Sequence, residues 1–308
     1  MKPATDENRL KDTDLYLSPL RGAAAPAPFS SRVRVDVAAL SHQGKVRSNN
    51  EDRYLALRAG RFLETLTTNL EEGLVPREFG DTVYGMVVAD GMGGTAAGEV
   101  ASRTAIATLL NLILNTPDWI FGMDDPHMEE ILHRTARRFR EVNRAVIEQA
   151  RSEPQLAGMG TTLTMACSFG AELFVAYLGD SRAYLCRQGS LRRLTRDHTM
   201  AQALADMGAI SPQEIATHRL RHVLTHVLGR DTGEKPEIKR TLLEDGDRVL
   251  LCTDGLTDMV PDAAIEGELN RHATAAEACR ALVDLALERG GLDNVTVIVA
   301  GYGIPAEK

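Results

Sequence analysis

Val83-Tyr84-Gly85-Met86-Val87-Val88-Ala89-Asp90-Gly91-Met92-Gly93-Gly94 begins as an apolar run and stops at an aspartate. An apolar run of this length, bounded by glycine, reads as a buried strand. The glycines after it allow a sharp turn and let a ligand approach the backbone closely. A helical pattern follows. A carboxylate at the mouth of a buried strand is costly unless a positive charge neutralises it. Asp90 is therefore expected to face a metal ion, with other functional residues brought to it.

Three further acids sit in the same kind of place. Leu178-Gly179-Asp180-Ser181-Arg182 ends one apolar strand, and Leu250-Leu251-Cys252-Thr253-Asp254-Gly255 ends another. Gly290-Gly291-Leu292-Asp293-Asn294 places an acid just before Val295-Thr296-Val297-Ile298-Val299. Taken singly, each reads equally well as a turn former, since Asp-Gly is a common turn dipeptide. As a set at strand ends they are expected to meet at one rim, where they would repel one another. A divalent cation resolves that repulsion. The ligands would all be oxygens, which favours Mg²⁺ or Mn²⁺ over Zn²⁺.

The rest of the chain is consistent with a sheet-rich domain. Residues 1–31 mix charges with Ala23-Ala24-Ala25-Pro26-Ala27-Pro28 and are expected to form a mobile tail rather than a signal peptide. Val33–Leu40 carries valines at period two, a strand signal. A polar loop, Ser41 to Asp52, leads to a second strand over Arg53–Leu57. Phe62, Leu66 and Leu70 are spaced four apart, which predicts a short amphipathic helix inside the 59–81 interruption. That stretch reads either as a surface elaboration or as a substrate or partner contact. Helices are expected over Ala96–Leu114 and from Asp125-Pro126 to about Arg151. Strands are expected over Thr161–Phe169, Leu173–Gly179, Ala183–Arg187, Leu191–Leu194, Arg248–Cys252 and Asn294–Ala300. A helix over Thr274–Arg289, capped by Gly290-Gly291, precedes the last strand. Strand runs around helix runs argue for an α+β fold, two sheets with helices outside. No linker divides residues 33–304.

Composition narrows the class. The 308 residues are 44% hydrophobic and 25% charged, ordinary for a globular protein. The net charge of −8 gives no general attraction to nucleic acid or to an anionic membrane surface. No apolar stretch is long enough to span a bilayer. Four scattered cysteines fit small buried hydrophobes in a reducing compartment, so a cytoplasmic location is expected.

Seven ordered motifs resemble one family. They are Arg47-Ser48-Asn49-Asn50-Glu51-Asp52, Val88-Ala89-Asp90-Gly91-Met92-Gly93-Gly94, Gly158-Met159-Gly160-Thr161-Thr162, Gly179-Asp180-Ser181-Arg182, Leu194-Thr195-Arg196-Asp197-His198, Cys252-Thr253-Asp254-Gly255-Leu256 and Asp293-Asn294-Val295-Thr296. The chain thereby resembles the bacterial form of the PP2C-type (PPM) metal-dependent serine/threonine protein phosphatases. The resemblance implies two antiparallel β-sheets packed as a central sandwich flanked by pairs of α-helices. It implies a domain over 32–304, with a 59–81 insertion, a flap at 198–235, and a C-terminal tail at 305–308.

The same resemblance implies roles. Asp90 looks like the carboxylate bridging two metals, with the Gly91 carbonyl completing one of them. Asp254 and Asp293 resemble the remaining ligands of the other. Glu51 is similar to the acid holding the second metal, directly or through water, with Asp52 and Asn294 as support behind the ligands. Asp180 resembles the acid of a third, weaker metal shared with Asp254. Arg47 looks like the arginine that grips the substrate phosphate. The implied reaction is hydrolysis of phosphoserine and phosphothreonine in proteins, substrates of a Ser/Thr kinase, by a hydroxide bridging two Mn²⁺ or Mg²⁺ ions and attacking phosphorus in line. A non-catalytic regulatory domain of the same fold, or a phosphatase of small phosphate esters, are the competing readings.

Three details depart from the pattern or compete with it. Met92 stands where many eukaryotic members have a histidine proposed as general acid, and His42 and His198 lie nearby only in motif. His222 takes the flap position where bacterial relatives have a serine. His218, His222 and His226 are spaced four apart, and with no matching acid nearby they are expected on a solvated or substrate-facing flap. Cys186 to Arg192 fits Cys-x₅-Arg formally, but Gly189 marks a hairpin turn there and no helix follows to cradle phosphate.

Overall fold

The computed structural model describes residues 29–71, 73–93, 97–115, 128–231, 233 and 235–306. The expected N-terminal tail up to residue 28, Gly94, and the expected helix start at Asp125 lie outside them. In chain order the strands are β1 (Arg34–His42), β2 (Arg53–Glu64), β3 (Glu78–Ala89), β4 (Gly91–Met92), β5 (Gly160–Thr161), β6 (Leu163–Phe169), β7 (Glu172–Leu178), β8 (Arg182–Arg187), β9 (Ser190–Arg193), β10 (Glu237–Leu242), β11 (Arg248–Cys252) and β12 (Val295–Gly303). The helices are α1 (Phe29–Arg32), α2 (Ala97–Asn115), α3 (Met128–Ser152), α4 (Met200–Asp206), α5 (Asp254–Thr257), α6 (Asp262–Arg271) and α7 (Ala275–Glu288).

Two five-stranded antiparallel sheets carry the fold. One has the order β1-β12-β11-β8-β9 and the other β10-β7-β6-β3-β2. Between them lies a buried layer that includes Met86, Val88 and Tyr177 from the second sheet and Leu185, Leu251 and Ile298 from the first. The outer face of the first sheet is covered by α6 and α7 through Ile265, Leu269, Leu282 and Val283. The outer face of the second is covered by α2 and α3 through Leu109, Phe139, Val142 and Val146. Both faces of the central strands are therefore buried, which is why β7 and β11 read as continuous apolar runs rather than as alternation. The expected α+β sandwich with helices outside is the fold observed.

Local chemistry sets the layers. On α2, Ala97, Ala101 and Ala105 recur every fourth residue and are fully buried, so small side chains let the helix lie close to the sheet. The N-terminus of α7 is closed by a capping box, with the Thr274 hydroxyl accepting from Glu277 N and the Glu277 carboxylate accepting from Thr274 N.

The helix expected around Phe62–Leu70 is not formed. Residues 61–64 continue β2 and pair with 78–81 of β3, Arg61 opposite Asp81 and Glu64 opposite Glu78. The Arg61 guanidinium is also bonded to the buried Asp81 carboxylate. Phe62, Leu66 and Leu70 are 74%, 84% and 53% exposed, so the fourfold spacing never finds a surface to bury. Without that burial a short helix has no source of stability. Among the elements that went unread are the short α1 and α5, β10, an edge strand whose polar residues break any apolar run, and α6, a helix of ten residues; α1 also takes in residues 29–31 of the expected tail.

One contact fixes how α5 meets the start of β12. A Cβ on Gly255 would run into the carbonyl oxygen of Asn294. That obstacle is backbone, so no side-chain rotation relieves it. Gly267 in α6 has open space around it. Gly255→Ala is expected to lower stability by about 1–3 kcal/mol, as overpacking does, whereas Gly267→Ala should raise it by about 0.5–1 kcal/mol. Urea unfolding of the two variants checks the contrast.

Candidate metal centre and active site

The acids read at strand ends converge. Asp90 follows β3, Asp180 lies just past β7, Asp254 lies just past β11, and Asp293 lies just before β12. The first two belong to one sheet and the last two to the other. All four line a single cleft of about 640 Å³, together with Arg47, Glu51, Gly91 and Asn294. Asp52 stands behind it, 2% exposed.

Backbone, hydroxyl and amide contacts hold Asp90, Asp52 and Glu51. The Asp90 carbonyl accepts from Thr162 N at 2.9 Å and from the Thr161 hydroxyl at 2.8 Å, while Asp90 N donates to Thr162 Oγ1 at 3.0 Å. The Gly158–Thr162 motif thus clamps the turn after β3. Gly91 is needed for close approach, because a Cβ there would meet the carbonyl oxygen of Gly98 on α2. Gly93, with φ of +136°, makes the next bend. Asp52 Oδ2 accepts from Thr253 Oγ1 at 2.8 Å and Thr296 Oγ1 at 2.7 Å. Asn294 ties the polar loop down: its Oδ1 accepts from Glu51 N, and its Nδ2 donates to the carbonyls of Gln43 and Asn49, each at 2.8 Å. Arg47 Nη2 donates to Asp293 Oδ2 at 2.5 Å.

The electrostatics are those of crowded like charge. Burial, then the charges of Asp52 and Asp254, hold the Asp90 carboxyl well above its ordinary range. Burial and then Asp254 do the same to Asp180. Asp254 is pushed up to about 6 by burial and then by Asp258 and Asp293. Asp52 is pushed up to about 7 by burial, although the Thr296 and Thr253 hydroxyls pull it back. Its Oδ1 is buried without a partner among the described residues. The Asp293 carboxylate keeps the Arg47 guanidinium protonated more firmly than usual. Six acids line the cleft against two arginines, Arg47 and Arg221, and one histidine. Carboxylates that outnumber the cationic side chains around them, offering only hard oxygens, fit divalent Mg²⁺ or Mn²⁺. The residues present are thus a suitable donor set for such ions.

The structure also corrects parts of the sequence reading. His222 does have acids beside it: its Nδ1 lies 3.6 Å from Asp258 Oδ2 and 4.0 Å from Asp254 Oδ2. Asp258, at the end of α5, went unremarked, although it falls four residues after Asp254, one helical turn on. The three flap histidines share no face, because residues 218–226 run as turns rather than as a helix. His218 Nδ1 accepts from Leu220 N, and His226 packs on His198 with ring centroids 4.6 Å apart. His198 is structural. It stacks on Tyr177 at 5.2 Å, its Nδ1 accepts from Gly179 N, and burial lowers its pKa. His42 Nδ1 accepts from Gly44 N within its own turn. Cys186 and Arg192 lie on paired strands β8 and β9, opposite Leu191 and Leu185 respectively, with no helix between them.

Comparison with known proteins identifies the family. The family model described as protein phosphatase 2C matches residues 77–287, more than half of the chain. The serine/threonine protein phosphatase PstP of Mycobacterium tuberculosis is 42% identical over 236 residues, covering 75% of this chain and 43% of PstP. The chain therefore spans less than half the length of that relative. The serine/threonine phosphatase stp of Listeria innocua is 35% identical over 214 residues, 70% of this chain and 82% of its own. A crystal structure of the PstP catalytic domain in complex with two manganese ions superposes with a TM-score of 0.68 at 37% identity, over 88% of this chain and 99% of that one. Stp1 from Staphylococcus aureus gives a TM-score of 0.69 at 29% identity, over 87% and 95%. With this fold, this cleft and these relatives, the chain belongs to the protein phosphatase 2C family.

Proposed function

We propose that the chain hydrolyses phosphoserine and phosphothreonine in proteins with two divalent cations, Mn²⁺ or Mg²⁺, held in the carboxylate cleft. The observation that carries this reading is the convergence of Asp90, Asp254, Asp293 and Glu51 on one cleft with an arginine at its rim. Bound cations supply Lewis acidity that acidifies water near neutral pH and neutralise charge on phosphoryl oxygens. Asp90 would serve both ions, with the Gly91 carbonyl and Glu51 at one and Asp254 and Asp293 at the other. Asp180 would share a weaker third ion with Asp254.

The chain's own residues do the positioning. Arg47 offers a planar fork that matches phosphate oxygens and cannot lose its charge. It would turn from Asp293 to the substrate when a cation engages that acid. There it orients the phosphate and stabilises charge in the transition state. Asn294 sets the height of Glu51 through its bond to the Glu51 amide. Asp52 fixes the chain on either side of Asp254 and Asp293 through Thr253 and Thr296. Met92 lies on β4 at the cleft wall and carries no exchangeable proton, so leaving-group protonation falls to water or to another group. The competing regulatory reading would be favoured by loss of one of these acids or of Arg47, and the sequence keeps them all. Among the described residues no helix is long and apolar enough to cross a membrane.

Phosphate release from a phosphothreonine peptide tests the proposal. Activity is expected with Mn²⁺ and none with EDTA. Asp90→Asn or Asp254→Ala should cut kcat at least about 100-fold, in line with loss of electrostatic stabilisation; full activity in either would remove the two-metal model. Arg47→Ala should act mainly on KM, and an unchanged KM would argue against a phosphate clamp. Asn294→Ala removes three hydrogen bonds, about 3 kcal/mol at roughly 1 kcal/mol each. It should speed amide exchange over residues 43–51, and unchanged protection there would contradict the anchoring role.

A further inference from the structure

Residues 222–230 border two clefts. His222 and Leu224 line the carboxylate cleft. Val227, Leu228 and Arg230 line a second cleft, of about 410 Å³, formed against α3. The α3 wall carries Arg140, Arg144 and Arg151, and the loop contributes Arg230. Positions four and eleven apart fall on one side of a helix, so the three α3 arginines form a row about 16 Å long. That is the span of about five residues of extended peptide.

The row is short of acids. Arg144 is held by Glu148 at 3.2 Å and Glu141 at 3.6 Å. Arg140, Arg151 and Arg230 have no side-chain hydrogen bond or ion pair among the described residues. The acids of the lining are Glu148, already engaged, and Asp231. In a chain of net charge −8, this concentration of free guanidinium is local. The cleft is also built. Asn143 Oδ1 accepts from Gly229 N at 2.7 Å and its Nδ2 donates to the Arg230 carbonyl at 3.0 Å, which fixes the loop against α3. Ile147 and Leu178 give it an apolar floor.

The geometry points to a docking cleft for an extended acidic segment of a protein substrate, its carboxylate or phosphate groups gripped by Arg140, Arg151 and Arg230. Guanidinium forks match both groups bidentately. A peptide carrying acids around one apolar side chain fits the charges and the floor together. The cleft communicates with the reaction site by continuity. Leu228 N donates to the Thr161 carbonyl at 2.9 Å, and Thr161 Oγ1 donates to the Asp90 carbonyl. Leu224 and Arg230 are six residues apart, at most about 20 Å of extended chain. The acidic stretch would therefore begin within about six residues of the phosphorylated one. The identity of the occupant as a substrate rests on the phosphatase reading; the binding itself does not.

The test separates the two. Fluorescein-labelled peptides, one with five glutamates around a leucine, one with phosphoserines replacing two of them and one with lysines, are titrated with the full chain in EDTA and followed by anisotropy. The glutamate and phosphoserine peptides bind and the lysine peptide does not; tighter binding of the phosphoserine form identifies phosphate as the preferred group, and equal binding identifies any acid. Arg140→Glu, Arg151→Glu and Arg230→Glu combined should weaken binding about tenfold or more. The matching Arg→Gln triple variant should do so with an unchanged melting temperature. Both should leave hydrolysis of p-nitrophenyl phosphate intact while lowering kcat/KM on a phosphothreonine peptide that carries the acidic stretch. Equal binding by the wild type and both triple variants, or no saturable binding to the wild type, would overturn the docking cleft. Binding without any hydrolysis would sink the phosphatase reading and leave the cleft standing.

Discussion

Carboxylates of like charge meet where two sheets end at the same rim, and the rest of the molecule is arranged to keep them there. Two unit charges about 4 Å apart repel by roughly 1 kcal/mol in water and about 4 kcal/mol near a protein surface. Burial first, and then the charge of neighbouring acids, holds the Asp90, Asp180 and Asp254 carboxyls above their ordinary range. Among the described residues Asp90 makes no ion pair with a cationic side chain. Stability gained elsewhere in the sandwich holds an arrangement that would otherwise spread apart.

The holding is done largely by groups that carry no charge. Asp52 receives one hydroxyl from just beyond β11 and one from β12, so a residue leading into the second sheet is stitched to two strands of the first. Thr161 and Thr162 grip both sides of the Asp90 peptide. Gly91 and Gly255 let backbone approach backbone where any side chain would force the acids apart. Two sheets packed face to face, each covered by its own helices, supply the rigid frame on which this works. Preorganised acids of this kind bind cations without first paying to order the loops that bear them.

Much of this was legible in the sequence, for a physical reason. Strands buried on both faces are continuous apolar runs, so their ends are marked sharply, and an acid at such an end stands out. Asp90, Asp180, Asp254 and Asp293 were all found that way, and the ordered motifs added Arg47, Glu51 and Asn294. What failed was local pattern without tertiary information. The fourfold spacing of Phe62, Leu66 and Leu70 is helical arithmetic, yet the hairpin β2–β3 prevails because Arg61 and Asp81 pair across it. Asp258 and His222 were not joined, since only the fold brings α5 beside the flap. Thr253 and Thr296 are ordinary strand-end threonines in sequence, and nothing before the structure marks them as partners of Asp52. The arginines of α3 carry no signal of their own in the sequence, because only the fold brings Val227, Leu228 and Arg230 against them.

The central claim is that this rim is a divalent-cation site. Thermal unfolding in Mn²⁺ against EDTA tests it most directly, because a ligand that binds only the folded state stabilises by mass action. The account predicts a melting temperature several degrees higher in saturating Mn²⁺, as expected for about 3–4 kcal/mol of linked binding energy, with the increase lost in Asp90→Asn. The same melting temperature in Mn²⁺ and in EDTA would contradict it.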